Sequence, residues 1–196
     1  MNLTKEKLMS LFNVIQNYSP KNEQEKRDKE QMLQFIICNQ NYLTRENEIA
    51  HFTASMWTVN KQRTKTLMVH HNRYNSWSWI GGHADGMENL CEVALKELQE
   101  ETGVKYAHLV SDEVLSLETI TCGGYMSKGI WVPSHLHFNL TYLAEVEESE
   151  ELIPQEDENS AVQWWSFEDV LKVSKEPWMI ENIYKKLIER SRYRSM

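Results

Sequence analysis

Three closely spaced glutamates are the residues of this chain best suited to chemistry. Glu97, Glu100 and Glu101 lie at i, i+3 and i+4, shortly after a pair of glycines at Gly81 and Gly82. On an α-helix this spacing places all three side chains on one face, where like charges repel by roughly 0.2–0.5 kcal/mol per pair. The pattern therefore indicates either a solvated acidic face or a group of carboxylates that binds a cation.

The apolar pattern of the same segment favours the cation. At roughly 100° per residue, the three glutamates occupy an arc beside an apolar stripe made of Leu90, Cys91, Ala94, Leu95 and Leu98. Carboxylates at the edge of a buried face are costly to desolvate unless they are protonated or paired with a cation. Hard oxygen ligands of this kind suit Mg²⁺, Mn²⁺ or Ca²⁺.

The glycine pair adds a second indication. A turn at Gly81 and Gly82 can bring the backbone close to a ligand, because neither residue has a side chain. Magnesium usually binds few protein carboxylates and completes its shell with phosphate oxygens and water. The combination indicates metal-assisted chemistry on a phosphorylated substrate.

Composition narrows the class of protein. The chain has 196 residues, of which 41% are hydrophobic, so it can bury a substantial core. Its formal net charge of -8 argues against a protein that binds a nucleic-acid polymer, which normally carries a basic excess. The three cysteines, Cys38, Cys91 and Cys122, are widely separated and form no CxxC pair, so we expect neither a disulfide framework nor a zinc site.

The N-terminal segment contains charged residues and no long apolar run, so we expect neither a signal peptide nor a membrane-spanning segment. A reducing, cytoplasmic setting is the expectation that follows.

The order of predicted elements indicates an α+β fold. Residues 2 to about 40 are predicted to form two helices, interrupted at Ser19 and Pro20. Strands are predicted for 51–60, 66–71 and 76–80, and the helix over 88–102 is predicted to end at Gly103. Further strands follow at VLSLETIT, SHLHFNLTYLAEV and AVQWWS, with CGGYMSKGIWVP as a loop or wide hairpin. A short helix is expected to begin after Ser166, and a final helix to run from Trp178 to Arg190.

The glycines and glutamates also match a known motif. Gly82, Glu88 and the run KELQEETGV from Lys96 to Val104 resemble the Nudix box, GX5EX7REUXEEXGU, with one departure: Lys96 stands where the family has arginine. The flanking segments HFTAS and ENSAVQWWSFEDV also resemble bacterial members. The resemblance covers about residues 48–175 and implies a Nudix α/β/α sandwich with a mixed sheet. We expect a domain at 46–196 and a helical extension at 1–45.

The resemblance implies roles for particular residues. Family members hydrolyse a nucleoside diphosphate linked to another moiety, with water attacking phosphorus and Mg²⁺ or Mn²⁺ bound by the box. Glu97, Glu100 and Glu101 match the metal-binding carboxylates, with Glu101 as the expected direct ligand and Glu97 as a ligand or helper in deprotonating the water. The carbonyl of Gly82 matches a backbone ligand. A later acid often takes part, and Glu158 is the candidate here, with Glu156 and Asp157 as rivals.

Two box positions need separate comment. Glu88 is expected to support the loop rather than to contact metal. Lys96 offers a point charge where the family's arginine offers a planar fork, so it cannot reproduce bidentate pairing. It can still neutralise Glu100, four residues further along the helix.

Other aromatic residues and histidines have two interpretations each. Trp79 could stack on a nucleobase, although core packing is the more common role for a strand tryptophan. His83 could contact phosphate, together with the backbone of Gly81 and Gly82 and the charge of Lys96. His135 and His137 share a strand face and are more typical of a structural pair than of a ligand set.

The resulting expectation is a pyrophosphohydrolase that acts on a small phosphorylated substrate, with no nucleic-acid polymer or membrane as partner and with a homodimer as a compatible assembly. One alternative is a Nudix-fold nucleotide-binding or regulatory module with weak catalysis. A second is a Nudix-fold isomerase acting on an isoprenoid diphosphate, although no cysteine or histidine here falls in a matching motif. The box residues leave the identity of the substrate open.

Overall fold

The computed structural model describes residues 10–193. These residues form two compact units. The first unit comprises the described part of Met1–Thr53 with His83–Leu90 and Leu117–Asn139. The second unit comprises Ala54–Gly82, Cys91–Ser116 and the described part of Leu140–Met196.

The strands are β1 (Ala50–Val59), β2 (Lys65–His71), β3 (Ser76–Ser78), β4 (Ile80–His83), β5 (His108–Cys122), β6 (Tyr125–Ser127), β7 (Ile130–Val132), β8 (His135–Glu145) and β9 (Asn159–Ser166). Seven of these strands form one sheet. Five of them lie side by side in the order β3-β2-β1-β8-β5, while β4 pairs with β1 and β9 pairs with β2. In the second unit, β2 pairs antiparallel with β3 and with β9, and the β9 pairing shifts register between His70 and His71.

The helices are α1 (Leu11–Asn17), α2 (Glu23–Cys38), α3 (Leu90–Thr102), α4 (Phe167–Val173), α5 (Pro177–Met179) and α6 (Lys185–Tyr193), with a π-helical turn at Ile180–Tyr184 between the last two. Among the described residues, none of the helices combines the length and the apolar character required to cross a bilayer.

The N-terminal helices belong to the first unit. Asn22 caps α2 by accepting a hydrogen bond from the backbone N–H of Glu25 at 2.8 Å. Lys29 donates to the carbonyls of Gln16 and Tyr18 at the end of α1, each at 2.7 Å, where a cation is favoured by the helix dipole. The two predicted helices are therefore confirmed over residues 11–17 and 23–38, while residues 2–9 of the prediction lie outside the described part of the chain.

The core of the first unit contains a chain of aromatic rings. Phe138 packs against Phe35 and Phe52, with ring centroids 5.0 and 5.4 Å apart. The predicted loop or wide hairpin in this unit is the tight hairpin of β6 and β7. Its turn residues, Lys128 and Gly129, both have positive φ, as a two-residue type I′ turn requires.

The core of the second unit centres on Trp57 and Tyr184, which are fully buried and stacked with centroids 6.0 Å apart. The predicted final helix from Trp178 to Arg190 is confirmed, since helical residues run without a break through α5, the π-helical turn and α6. The π-helical turn is the one feature of this helix that the sequence does not predict, and it contains the buried residues Ile183 and Tyr184.

Candidate metal and phosphate site

Helix α3 carries the three glutamates with graded exposure. Its apolar face is buried through Leu90, Val93, Ala94 and Leu98. Glu101 is buried at 3% exposure, Glu97 is mostly covered, and Glu100 has about half of its side chain in solvent. The helix ends at Gly103, whose φ of +73° gives the left-handed C-cap that the sequence predicts.

Glu101 is held on both carboxylate oxygens. The backbone N–H of Gly81 donates to Oε2 at 3.0 Å, and the side-chain amide of Asn159 donates to Oε1 at 3.0 Å. Burial raises the pKa of the Glu101 carboxyl to about 7, although both hydrogen bonds act in the opposite direction. The charges of Glu97 and Glu158 add to the increase in that pKa. At this pKa the surroundings stabilise the carboxylate form of Glu101 poorly, and a bound cation would stabilise it.

Glycine is required at positions 81 and 82 because neighbouring atoms lie too close to the backbone there to admit a side chain. A Cβ atom on Gly82 would lie within 2.7 Å of each atom of the Glu97 carboxyl group. A Cβ atom on Gly81 would lie within 2.8 Å of the Ser55 Cα and closer still to the Ala54 carbonyl oxygen. The absent side chains therefore let the Glu97 carboxyl group rest against the backbone of β4 and let β4 lie close to the backbone of residues 54 and 55.

Lys96 lies between two of the glutamates. Its ammonium group donates to Glu100 Oε2 at 2.8 Å and lies 3.9 Å from Glu97 Oε1. Lys96 and Glu100 are each about half exposed, so solvent screens this pair strongly. The contact to Glu100 is the i, i+4 neutralisation that the sequence predicts.

Two other predicted site residues belong to the second unit. Glu158 precedes β9 with an exposed side chain, and its carbonyl accepts from the Asn72 N–H at 2.9 Å. Its rivals, Glu156 and Asp157, are also exposed. Trp79 is half-buried, with its ring 6.2 Å from that of Tyr184.

Glu88 belongs to the first unit. Its carboxylate accepts a hydrogen bond from the Tyr42 hydroxyl at 3.2 Å, and its carbonyl accepts from the Leu90 N–H at 3.1 Å. Both contacts hold the loop that leads into α3, in keeping with the supporting role expected of this residue.

His83 lies in a cluster of histidines within the first unit. Its ring centroid is 5.2 Å from that of His51 and 5.1 Å from that of His137. His135 joins the cluster through a nitrogen–nitrogen distance of 3.0 Å to His137. Burial, followed by the charge of Arg45, lowers the pKa of His83 to about 4, so its ring is neutral at pH 7. Burial also lowers the pKa of His51.

The second unit has donors that fit a hard divalent cation. Each Glu101 oxygen accepts one hydrogen bond and so retains a second lone pair. The Glu97 carboxyl group lies against Gly82 on the same helix face, and all the donor atoms are oxygens. Oxygen donors with partial desolvation are the chemistry that Mg²⁺ and Mn²⁺ prefer.

Sequence reasoning missed two features of these regions. The fully buried side chain of Asn159 holds Glu101, a contact that the sequence does not predict. The position of Asn159 at the start of a predicted strand, next to the candidate acid Glu158, was the only available indication. His51 was not identified at all, because a histidine at the start of an apolar strand is indistinguishable from a core residue without its neighbours.

Comparison with known proteins identifies a domain family and similar folds. A model of the NUDIX domain matches residues 50–190. The m7GpppN-mRNA hydrolase NUDT17 of Xenopus laevis is 35% identical over 108 residues, which are 53% of this chain and 34% of that protein. The chain therefore spans about a third of the length of this curated relative.

Solved structures share the fold. A NUDIX-family hydrolase from Clostridium perfringens has a TM-score of 0.51 at 24% identity, covering 72% of this chain and 95% of that one. The M. smegmatis Nudix hydrolase RenU has a TM-score of 0.53 at 14% identity, covering 74% and 88%. A C. elegans Ap4A hydrolase, solved as a binary complex, has a TM-score of 0.50 at 18% identity, covering 71% and 93%.

These likenesses confirm the predicted fold class, an α+β fold with a mixed sheet and additional N-terminal helices. With the domain match extending over most of the sequence and the box residues in register within it, the chain belongs to the NUDIX family.

Proposed function

We propose that this chain is a pyrophosphohydrolase that uses Mg²⁺ or Mn²⁺ to cleave a diphosphate linkage in a nucleoside diphosphate joined to another moiety. The observation that carries the proposal is the environment of Glu101. A buried carboxyl group with a pKa raised to about 7, held by Gly81 and Asn159 beside the Glu97 carboxyl group, favours a cation as its partner.

We assign metal binding to the residues of the box and orientation of Glu101 to its two hydrogen-bond donors. Glu97, Glu100, Glu101 and the carbonyl of Gly82 would hold the metal, with Glu101 as the direct ligand. When bound, the metal neutralises charge on the diphosphate and lowers the pKa of a bound water. Asn159 and the N–H of Gly81 keep the Glu101 carboxylate oriented, since each fixes one oxygen.

Water attack on phosphorus requires an acceptor for the water's proton. Glu97 is one candidate, because its mostly covered carboxyl group lies against the Gly82 backbone. Glu158 is the second, because its charge acts on Glu101 although its side chain is exposed. Comparing the acidic limb of the rate profile at saturating Mg²⁺ in Glu97→Gln and Glu158→Gln would separate them, because saturation removes the pH dependence of metal binding and loss of the base should then remove the limb.

The printed names of two similar proteins guide the choice of substrate. An m7GpppN-mRNA hydrolase and an Ap4A hydrolase are both named for substrates in which a phosphate chain joins a nucleoside to a second moiety. We propose a substrate of the same type, small rather than polymeric because the net charge is -8. The expected contacts to it within the second unit are Trp79, the backbone of Gly81 and Gly82, and Lys96.

The remaining expectations belong to the same proposal. Residues 1–45 would serve as a helical extension of a NUDIX domain at 46–196. The protein would act in the cytoplasm without a membrane partner, and a homodimer would be compatible with it.

A binding or regulatory module with weak catalysis is the second candidate function. The observation that favours it is Lys96, which replaces the motif arginine and pairs with Glu100 through a half-exposed contact.

A substrate panel tests both candidates. Dinucleoside polyphosphates, nucleoside diphosphate sugars, coenzymes and oxidised nucleotides are incubated with the protein in Mg²⁺, in Mn²⁺ and in chelator, beside Glu101→Gln. Glu92→Gln is the matched control, because Glu92 is an exposed glutamate of the same helix at a variable position of the box. The proposal expects metal-dependent turnover that Glu101→Gln loses and Glu92→Gln keeps.

Tight ligand binding without turnover of any substrate would support the regulatory module instead. Full turnover by Glu101→Gln would contradict the assignment of that residue as a metal ligand.

A further inference from the structure

Four imidazole rings and one thiol meet in the first unit. Three of the histidines come from three different strands: His51 from β1, His83 from β4 and His137 from β8. One ring nitrogen from each of these three can be chosen so that all lie within 4.8 Å of one another. A second group, Cys122, His135 and His137, meets the same criterion and shares His137 with the first.

The two ring nitrogens of His51 have different surroundings. Its Nδ1 lies 3.1 Å from the carbonyl oxygen of Asn47, which can only accept, so the proton belongs on Nδ1. The lone pair is then on Nε2. That atom is buried and has no hydrogen-bond partner among the described residues. His51 as a whole is only 3% exposed, so solvent hardly reaches its ring. Buried polar atoms normally have a partner, so this nitrogen requires an explanation.

His135 repeats the same pattern. Its Nδ1 donates to the carbonyl oxygen of Pro133 at 2.8 Å, which again places the lone pair on Nε2. That Nε2 points at the Nε2 of His137, 3.0 Å away. A backbone carbonyl that orients the second ring nitrogen, as that of Asn47 does for His51, is the usual outer contact of a metal-bound histidine.

We propose that His51, His83 and His137 bind a transition-metal ion of the Zn²⁺ class. Imidazole nitrogens are borderline donors, which suit Zn²⁺ and its neighbours in the first transition row rather than Mg²⁺. Two Zn–N bonds of about 2.0–2.1 Å at a tetrahedral angle separate the nitrogens by about 3.4 Å. The three nitrogens lie within 4.8 Å of one another, so metal binding would draw them closer together by rotation of their side chains.

Structural packing alone accounts less well for the cluster. A hydrogen-bonded pair would satisfy His135 and His137, but it would leave the Nε2 of His51 without a partner. A metal ion satisfies that atom and explains why rings from three strands converge on it.

The ion would cross-link β1, β4 and β8 and so stabilise the first unit. The glutamates proposed to bind Mg²⁺ or Mn²⁺ are not among its ligands. The zinc proposal therefore stands whether or not the protein hydrolyses diphosphates. The spacing of the cysteines gave no reason to expect zinc, because three histidines from distant strands form no local motif.

Metal content tests the proposal. The protein is prepared without an affinity tag, reconstituted with Zn²⁺, passed through a desalting column and analysed by mass spectrometry for bound metal. We expect one zinc per chain in the wild type and in the control His108→Ala, whose histidine is exposed and outside the cluster. We expect His51→Ala and His83→Ala to lose that zinc while keeping the wild-type circular dichroism spectrum.

A measurement on the wild type alone covers the case in which a variant fails to fold. Its melting temperature should fall on treatment with a zinc chelator and recover on addition of Zn²⁺ but not of Mg²⁺. No zinc after reconstitution and no such shift would overturn the proposal.

Cobalt distinguishes the two overlapping groups of ligands. With Co²⁺ in place of Zn²⁺, the three-histidine set should show visible d–d bands without the near-ultraviolet charge-transfer band of a thiolate, and Cys122→Ser should leave the spectrum unchanged. A thiolate band that disappears in Cys122→Ser, with metal retained in His51→Ala, would overturn the assignment to His51, His83 and His137.

Discussion

The carboxylates of α3 and the histidine cluster of the first unit are both groups of potential metal ligands, but they differ in chemistry and in origin. The carboxylates offer hard oxygens from one helix, at graded exposure from the buried Glu101 to the half-exposed Glu100. The histidines offer borderline nitrogens from three strands, including a buried nitrogen at His51 that has no hydrogen-bond partner within residues 10–193. Such a difference favours exchangeable Mg²⁺ in the first group and a retained structural ion in the second.

The largest expected effect separates the two groups directly. Glu101→Gln should lower turnover by at least about a hundredfold, because a neutral amide cannot replace a charged oxygen ligand in a desolvated site. The zinc content of the same variant should remain that of the wild type. Parallel loss of turnover and zinc would show that the two groups are not independent.

Asn159→Ala should produce the next largest effect. Removing a contact that orients a ligand typically costs about 10–100-fold in metal affinity. The hydrogen bond from Asn159 lowers the pKa of Glu101, so its loss should raise that pKa further above about 7. Only the carboxylate form binds metal, so Mg²⁺ affinity increases with pH up to that pKa.

The measurement for Asn159→Ala is therefore the Mg²⁺ concentration for half-maximal rate as a function of pH. The acidic limb should move to higher pH relative to wild type. Ser160→Ala is the control, because Ser160 is the next residue in β9 and its hydroxyl contacts His70 instead. An unchanged limb in Asn159→Ala would mean that Asn159 does not act through Glu101.

The two adjacent glycines should respond differently to alanine. In Gly82→Ala the new methyl group meets the flexible end of Glu97, which can rotate away, so activity should fall with little loss of stability. In Gly81→Ala the methyl group meets backbone atoms of Ala54 and Ser55, so the free energy of unfolding should fall by about 1–3 kcal/mol. Urea unfolding and turnover, measured on both variants, check this; equal losses of stability would refute the distinction.

Lys96→Arg should give the smallest effect. The ion pair with Glu100 is half exposed, and such pairs contribute about 0.2–1 kcal/mol, which corresponds to less than about a fivefold change in rate. Steady-state kinetics of the arginine variant beside the wild type check this expectation. Complete loss of activity in Lys96→Arg would show that lysine has a role that arginine cannot fill.

The two regions also differ in how far the sequence predicts them. Helix α3, its carboxylate face and its end at Gly103 follow from periodicity and from one positive-φ glycine, all within a short segment. The histidine cluster depends on which residues of β1, β4 and β8 meet across the fold. Alternation along a strand predicts the face of a side chain but not its partners on other strands.

The last helix is predicted in its position but not in its detail. Its apolar stripe predicts the helix, whereas the π-helical turn at Ile180–Tyr184 within it has no sequence signal. Packing around Tyr184, which stacks on Trp57 and accepts from the backbone N–H of Trp79 at 3.4 Å, is visible only in three dimensions.

Isotope labelling tests the proposed reaction most directly. A diphosphate substrate found in the panel is turned over in water enriched in ¹⁸O, with Mg²⁺ or with chelator, and the products are analysed by mass spectrometry. Attack of water on phosphorus predicts one ¹⁸O atom in a phosphate product, and only when the metal is present. Label-free phosphate products, or equal turnover in chelator, would contradict metal-dependent attack of water on phosphorus.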